Sequence, residues 1–97
     1  MQTPALQPKV SVVIPVYNEQ EGIKETLSRI SAALNSCWSN WEILVVNDGS
    51  TDSTSEIVHN YTRRDSRVRL ISYTPNQGRG KALRTGFASA RGKIICT

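Results

Sequence analysis

Cysteine is scarce in this sequence of 97 residues, and its two copies, Cys37 and Cys96, lack metal-ligand spacing. No cysteine-based metal module follows from them, and a reducing, cytoplasmic location is the default. Cys96 sits in an apolar run and is expected to be a small buried hydrophobe. Long apolar runs are missing as well. No stretch approaches the roughly 20 residues that a membrane-spanning helix needs, and the N-terminus lacks a charged-then-apolar signal segment. Repeats, low-complexity blocks and long linkers are also absent, and the length suits one small domain. Acidic residues are almost missing from the C-terminal third, where residues 63–97 carry nine Lys and Arg against Asp65 alone. Residues 1–62 are the reverse, with Lys9, Lys24 and Arg29 against seven acids. A basic half suits nucleic acid, an anionic membrane surface or a phosphate-bearing ligand. Nucleic acid is disfavoured, because the arginines are dispersed and no aromatics are interleaved with them. Arg79, Lys81 and Arg84 stand apart from the solvated remainder because they crowd a glycine-rich turn.

What is present is an alternation. After a leader over residues 1–8 with Pro4 and Pro8, strands are expected at Val10–Val16, Glu42–Val46, Val68–Tyr73 and Lys93–Cys96. A first helix carries Ile23, Leu27, Ile30 and Leu34 on one face at helical spacing. A second starts near Asp52 or Ser53, with Ser53 and Glu56 at capping-box spacing and Ile57, Val58 and Tyr61 as its buried stripe. A third runs from about Gly80 to Ala90, burying Leu83, Phe87 and Ala90, and ends before Gly92. Strand and helix alternating at intervals of about 25–30 residues signify βαβ units around a parallel sheet. Right-handed crossovers put the ligand edge where Tyr17, Asp48 and Pro75 emerge.

Three loops meet at that edge. In Pro15-Val16-Tyr17-Asn18-Glu19, proline cannot donate to a sheet ladder and turns the chain outward. Tyr17 can stack on a base and Glu19 can accept from ribose hydroxyls, although a surface aromatic and a dipole-favouring helix acid would look the same. In Asn47-Asp48-Gly49-Ser50-Thr51-Asp52, Asp48 can accept an imide or amino N–H of a base. Gly49 allows a tight turn, and Ser50 through Ser53 can cap the next helix. An ordinary capped connection is the alternative there. In Pro75-Asn76-Gln77-Gly78-Arg79-Gly80-Lys81, two glycines open main-chain N–H groups to an anion at a helix N-terminus. Leu83 stands where a dinucleotide fingerprint needs its third glycine, and no Walker A pattern occurs.

Taken in order and spacing, P-V-Y-N-E, N-D-G-S-T-D and N-x-G-x-G-K-A-x-x-x-G resemble the nucleotide-sugar-binding half of the inverting family 2 glycosyltransferases. The segment Asn76–Phe87 is similar to the dolichyl- and polyprenyl-phosphate sugar synthases. The resemblance covers residues 9–97 and implies a Rossmann-like GT-A fold. That fold is an α/β/α sandwich with a four-stranded parallel sheet in the order 3-2-1-4. It implies that Pro15, Tyr17 and Glu19 line a nucleoside pocket, that Asp48 contacts the base, and that Gly78 and Lys81 flank the nucleotide. Asn47 departs from the acid that many members carry there. The implied activity is transfer of a hexose from a UDP- or GDP-sugar to an acceptor, with polyprenyl phosphate leading. A divalent cation, Mg or Mn, is expected at a D-x-D motif that the family places just beyond the fourth strand, after Thr97. No catalytic or metal-binding residue is therefore assigned within the chain. The rival reading is a nucleotide-binding module without metal and acceptor sites. The expected location is cytoplasmic, peripheral at the cytoplasmic face of a membrane. The uncovered edge of the fourth strand predicts a homo-oligomer.

Overall fold

A computed structural model describes residues 7–97 of the chain. Most of the expected leader, residues 1–6, lies outside the described residues. The elements run β1 (Val10–Val16), α1 (Ile23–Cys37), β2 (Trp41–Asp48), α2 (Thr54–Arg64), β3 (Val68–Tyr73), α3 (Arg79–Ser89) and β4 (Ile94–Cys96). The four strands form one sheet in the order β3-β2-β1-β4, and every pairing is parallel. The parallel pairing is expected from the alternation, and the order is the one the family resemblance implies. Because β2 lies inside the sheet with helices on both faces, all eight of its residues are buried. A strand covered on both faces reads as a continuous apolar run, which Ile43 to Val46 supplies.

The two faces are built differently. On one, α1 and α2 lay Ile23, Leu27, Leu34 and Val58 over Val10, Val16, Ile43, Val45 and Val68. Full burial of each such aliphatic chain contributes about 1.5–3 kcal/mol. On the other face, α3 alone covers Val13 and Val46, with Ala82 buried between them. Gly86 is the reason α3 lies so close. A Cβ there would collide with the Val13 side chain and press on Val46. The large residues of α3 therefore do not form its core. Leu83 is half-buried at the margin, and Phe87, expected inside, is 42% exposed because the contact passes through the small residues beside it.

Two other expectations are corrected. Ser53 makes no capping bond at the start of α2. The Asp52 carboxylate takes that place, accepting from the Thr54 main-chain N–H at 2.9 Å and from the Thr54 hydroxyl at 2.5 Å. Cys96 is exposed, as are Ile94 and Ile95, because β4 is short and lies at the edge of the sheet, paired only with Val10–Val12. No helix among the described residues is long and apolar enough to cross a membrane.

The amino edge of the sheet is closed by Glu42. Its carboxylate accepts from the Ser11 hydroxyl at 2.6 Å, the Arg69 guanidinium at 2.8 Å and the Arg91 main-chain N–H at 2.7 Å. The Gly92 N–H donates to the Ser11 hydroxyl at 2.8 Å, completing a clasp across β1, β2, β3 and the turn into β4. Burial pushes the Glu42 carboxyl up, but these donors and the Arg69 charge outweigh it and hold it below its ordinary value.

Candidate functional site

At the opposite, carboxyl edge the chain reverses its direction of winding. The β1–α1–β2–α2–β3 units progress one way across the sheet, and α3 then carries the chain back to the far side of β1. Such a switch point leaves a crevice at the strand ends, where open α/β sheets bind ligands. A hollow of about 260 Å³ lies there. Pro15, Tyr17, Glu19, Asp48 and Gly78, five of the six residues expected at the site, line it. Lys81 does not. It lies in the first turn of α3, exposed and outside the lining, whereas Asn76 and Arg79 take part in it.

The first loop is held by the second. Asn18 adopts a left-handed φ of 50°, which asparagine tolerates better than most residues. Its main-chain N–H donates to the Ser50 hydroxyl at 3.0 Å, and its side-chain oxygen accepts from the Thr51 N–H at 2.8 Å. The Glu19 N–H donates to the Thr54 hydroxyl at 2.8 Å, and the Ser53 N–H donates to the Gln20 side-chain oxygen at 2.9 Å. Tyr17 is left 45% exposed at the rim, its ring free to stack. Asn47 faces inward instead. Its side-chain oxygen accepts from the Ser50 N–H, three residues on, at 3.1 Å and so shapes the second loop from within.

The third loop is held by Asp48. One carboxylate oxygen accepts from the Gln77 N–H at 2.8 Å. The other accepts from the Gly78 N–H at 3.0 Å and the Asn76 side-chain amide at 2.9 Å. Burial pushes this carboxyl up, but the Gln77 N–H, the nearby Tyr73 hydroxyl and the Gly78 N–H hold it below its ordinary value, so it is ionised at neutral pH. The Tyr73 hydroxyl is buried beside it without a hydrogen bond of standard geometry. Burial and the Asp48 charge push that phenol up to about 12.

The crevice therefore offers an exposed aromatic, two carboxylates and one guanidinium above a glycine-rich helix start. Chemically it suits a ligand with a flat ring, hydroxyls and an anionic end. Among the described residues, no three His, Cys, Asp or Glu side chains come together as a set for a metal ion. A smaller hollow of about 180 Å³ lies between α1 and α2, lined by Lys24, Ile57 and Arg64 among others. It is remote from the strand ends and shares none of the loop residues.

Sequence reasoning missed Asn18 and Asn76 as the residues that join the loops. The available signal was their type and place, since asparagine next to a strand end often bonds main-chain groups.

Comparison with known proteins is consistent with this geometry. Residues 11–97 match the model of Glycosyl transferase family 2. The chain is 43% identical over 90 residues to undecaprenyl-phosphate 4-deoxy-4-formamido-L-arabinose transferase of Salmonella paratyphi A. That alignment spans 92% of this chain and 28% of the relative. Among solved structures, the mannosyltransferase PcManGT of Pyrobaculum calidifontis, in complex with GDP-Man and Mn2+, superposes with a TM-score of 0.79 at 30% identity. It aligns with 95% of this chain and 27% of its own. TarS of S. aureus in complex with UDP gives a TM-score of 0.79 at 31% identity, over 92% of this chain and 26% of its own.

Proposed function

The chain belongs to Glycosyl transferase family 2, and on that footing we propose that it is the nucleotide-sugar-binding part of a transferase passing a hexose from a UDP- or GDP-sugar to an acceptor. The observation that carries the reading is the crevice itself, where Pro15, Tyr17, Glu19, Asp48 and Gly78 converge at the carboxyl ends of β1 and β2. In this reading Tyr17 stacks on the base and Asp48 borders it. Glu19 accepts from the ribose hydroxyls, and Arg79 with the open N-terminus of α3 faces the diphosphate. Lys81 adds charge two residues along, in the same first turn of α3. Polyprenyl phosphate is the proposed acceptor, supported by the name of the Salmonella relative and by the Asn76–Phe87 segment. Peripheral attachment at the cytoplasmic face of a membrane goes with that acceptor.

The chain spans about 28% of the length of that curated relative. The chain by itself is proposed to bind the nucleotide at this crevice. The divalent cation, proposed as Mg or Mn, would act in the full-length enzyme. Self-association along the exposed edge of β4, with Ile94 and Ile95, is part of the same proposal. Titration with UDP and GDP, with and without Mn²⁺, tests the reading. Weak saturable binding with little dependence on Mn²⁺ is expected. No binding of either nucleotide at millimolar concentration would refute it.

A further inference from the structure

Two hollows adjoin on the surface of α1 and α2, away from the crevice. One, of about 180 Å³, is lined by Lys24, Ile57, Asn60, Tyr61 and Arg64. The other, of about 230 Å³, is lined by Asn60, Arg63 and Arg64. They share Asn60 and Arg64, and so make one groove with three cations and no carboxylate in its lining. Its floor is firm, because Ile57 and Tyr61 are half-buried and pack against the main core.

The acids nearby do not neutralise it. Glu25 is paired with Arg29 at 2.7 Å, and Asp65 with Arg67 at 3.0 Å. Glu21 and Glu56 are exposed and line neither hollow. Lys24, Arg63 and Arg64 take part in no ion pair among the described residues. The two arginines have a local reason to be there, since cations in the last turn of α2 suit the helix dipole. Lys24 has none. It lies in the first turn of α1, where a cation opposes the dipole and an acid is favoured. A charge set against its own helix, beside two more cations and an amide, points to a role outside stability.

We propose that this groove binds a phosphate group, carried as a monoester or a diester. Lys24 and Arg64 reach it from α1 and α2, and the Asn60 amide donates from between them. Arg63 extends the charge into the adjoining hollow. Two sources carry that chemistry, a soluble phosphate ester and the headgroup of an anionic lipid. With no carboxylate to accept from ribose hydroxyls, the groove is not a second nucleoside site. It is separate from the crevice, and stands whether or not a nucleotide binds there.

The test titrates inorganic phosphate into the 97-residue chain at constant ionic strength, so that general screening does not change. Saturable chemical-shift changes are expected at Lys24, Asn60, Tyr61 and Arg64, with a dissociation constant on the order of millimolar. K24E/R64E should weaken phosphate by about tenfold or more. K24Q keeps the test open should that variant fail to fold. It should weaken phosphate by about threefold and raise the melting temperature slightly, because the charge opposing the dipole is gone. Vesicles of phosphatidylcholine with phosphatidic acid separate the two sources. Cosedimentation that K24E/R64E abolishes assigns the groove to a lipid headgroup, and saturation by phosphate without cosedimentation assigns it to a soluble ester. Shifts that rise linearly without saturating, or that centre on Arg79 to Lys81, would overturn the inference. A K24Q chain that melts lower and binds phosphate as before would overturn it too.

Discussion

Strand β2 ends in a carboxylate at both edges of the sheet, and the two are treated oppositely. Both are nearly buried, Glu42 at 5% and Asp48 at 4% exposure, and both have carboxyls held below their ordinary values. Glu42 has a cation, since Arg69 reaches it from β3 at 2.8 Å, and the donors around it tie four parts of the fold together. Asp48 has no ion pair among the described residues, only neutral groups around it, the N–H donors of one loop and the nearby Tyr73 hydroxyl, and it borders the crevice. Charge compensated by the fold's own cation serves stability. Charge held by dipoles alone leaves a shaped, polar surface for something else. The amino edge of this sheet is a clasp, and the carboxyl edge is the proposed ligand edge.

The largest effect that sharpens this contrast is expected from E42A. It leaves the largely buried Arg69 guanidinium and the buried Ser11 hydroxyl without their shared acceptor. Loss of about 3 kcal/mol is expected, the lower end for breaking a buried pair because Arg69 keeps some solvent. Urea denaturation measures it. G49A ranks next, because the left-handed backbone and the approach of Asn76 both oppose a side chain. A loss of about 2 kcal/mol is expected, accompanied by loss of nucleotide binding, which E42A should leave intact wherever the protein remains folded.

D48N should cost about 1 kcal/mol of stability, less than E42A, since no cation is stranded. Acid titration separates the two ends further. Each carboxyl is depressed in the folded protein, so its contribution is complete above its unfolded value and is lost as pH falls towards the folded one. E42Q should therefore flatten the acid limb where it begins, near the ordinary 4.5, and D48N should flatten it further down, from 3.8. Melting temperature against pH for the three proteins checks the order. The smallest effect is expected from Y73F, within about 0.5 kcal/mol at neutral pH, because the lost hydroxyl makes no well-formed bond. Its mark appears in alkali. With the phenol raised from 10.0 to about 12, native Tyr73 keeps its proton while the unfolded chain loses one. Stability thus falls as pH rises through that window, and Y73F removes that fall.

The clasp and the crevice were not equally legible. The strands follow from apolar runs ending in turn residues, the sheet order was implied by the family resemblance, and Tyr17, Glu19, Asp48 and Gly78, which line the crevice, were suggested by the loop wording. The Glu42 clasp did not, because a glutamate at the start of a strand carries no signal that an arginine 27 positions on will meet it. Phe87 and Cys96 were misplaced for a related reason. Periodicity finds large apolar residues, whereas α3 is set by the near absence of side chain at Gly86 and β4 is an edge. At the site, residue type suggested which side chains could touch a ligand. It did not show that Asp48 was already holding the opposite loop.

Chemical-shift mapping with GDP and UDP tests the central claim most directly, because one spectrum reports both ends of β2. Saturable perturbations are expected at Tyr17, Asp48 and Asn76 to Arg79, with Ser11, Glu42, Arg69 and Arg91 unmoved. Perturbations centred on the Glu42 clasp, or on Lys24 and Arg64 between the outer helices, would contradict it.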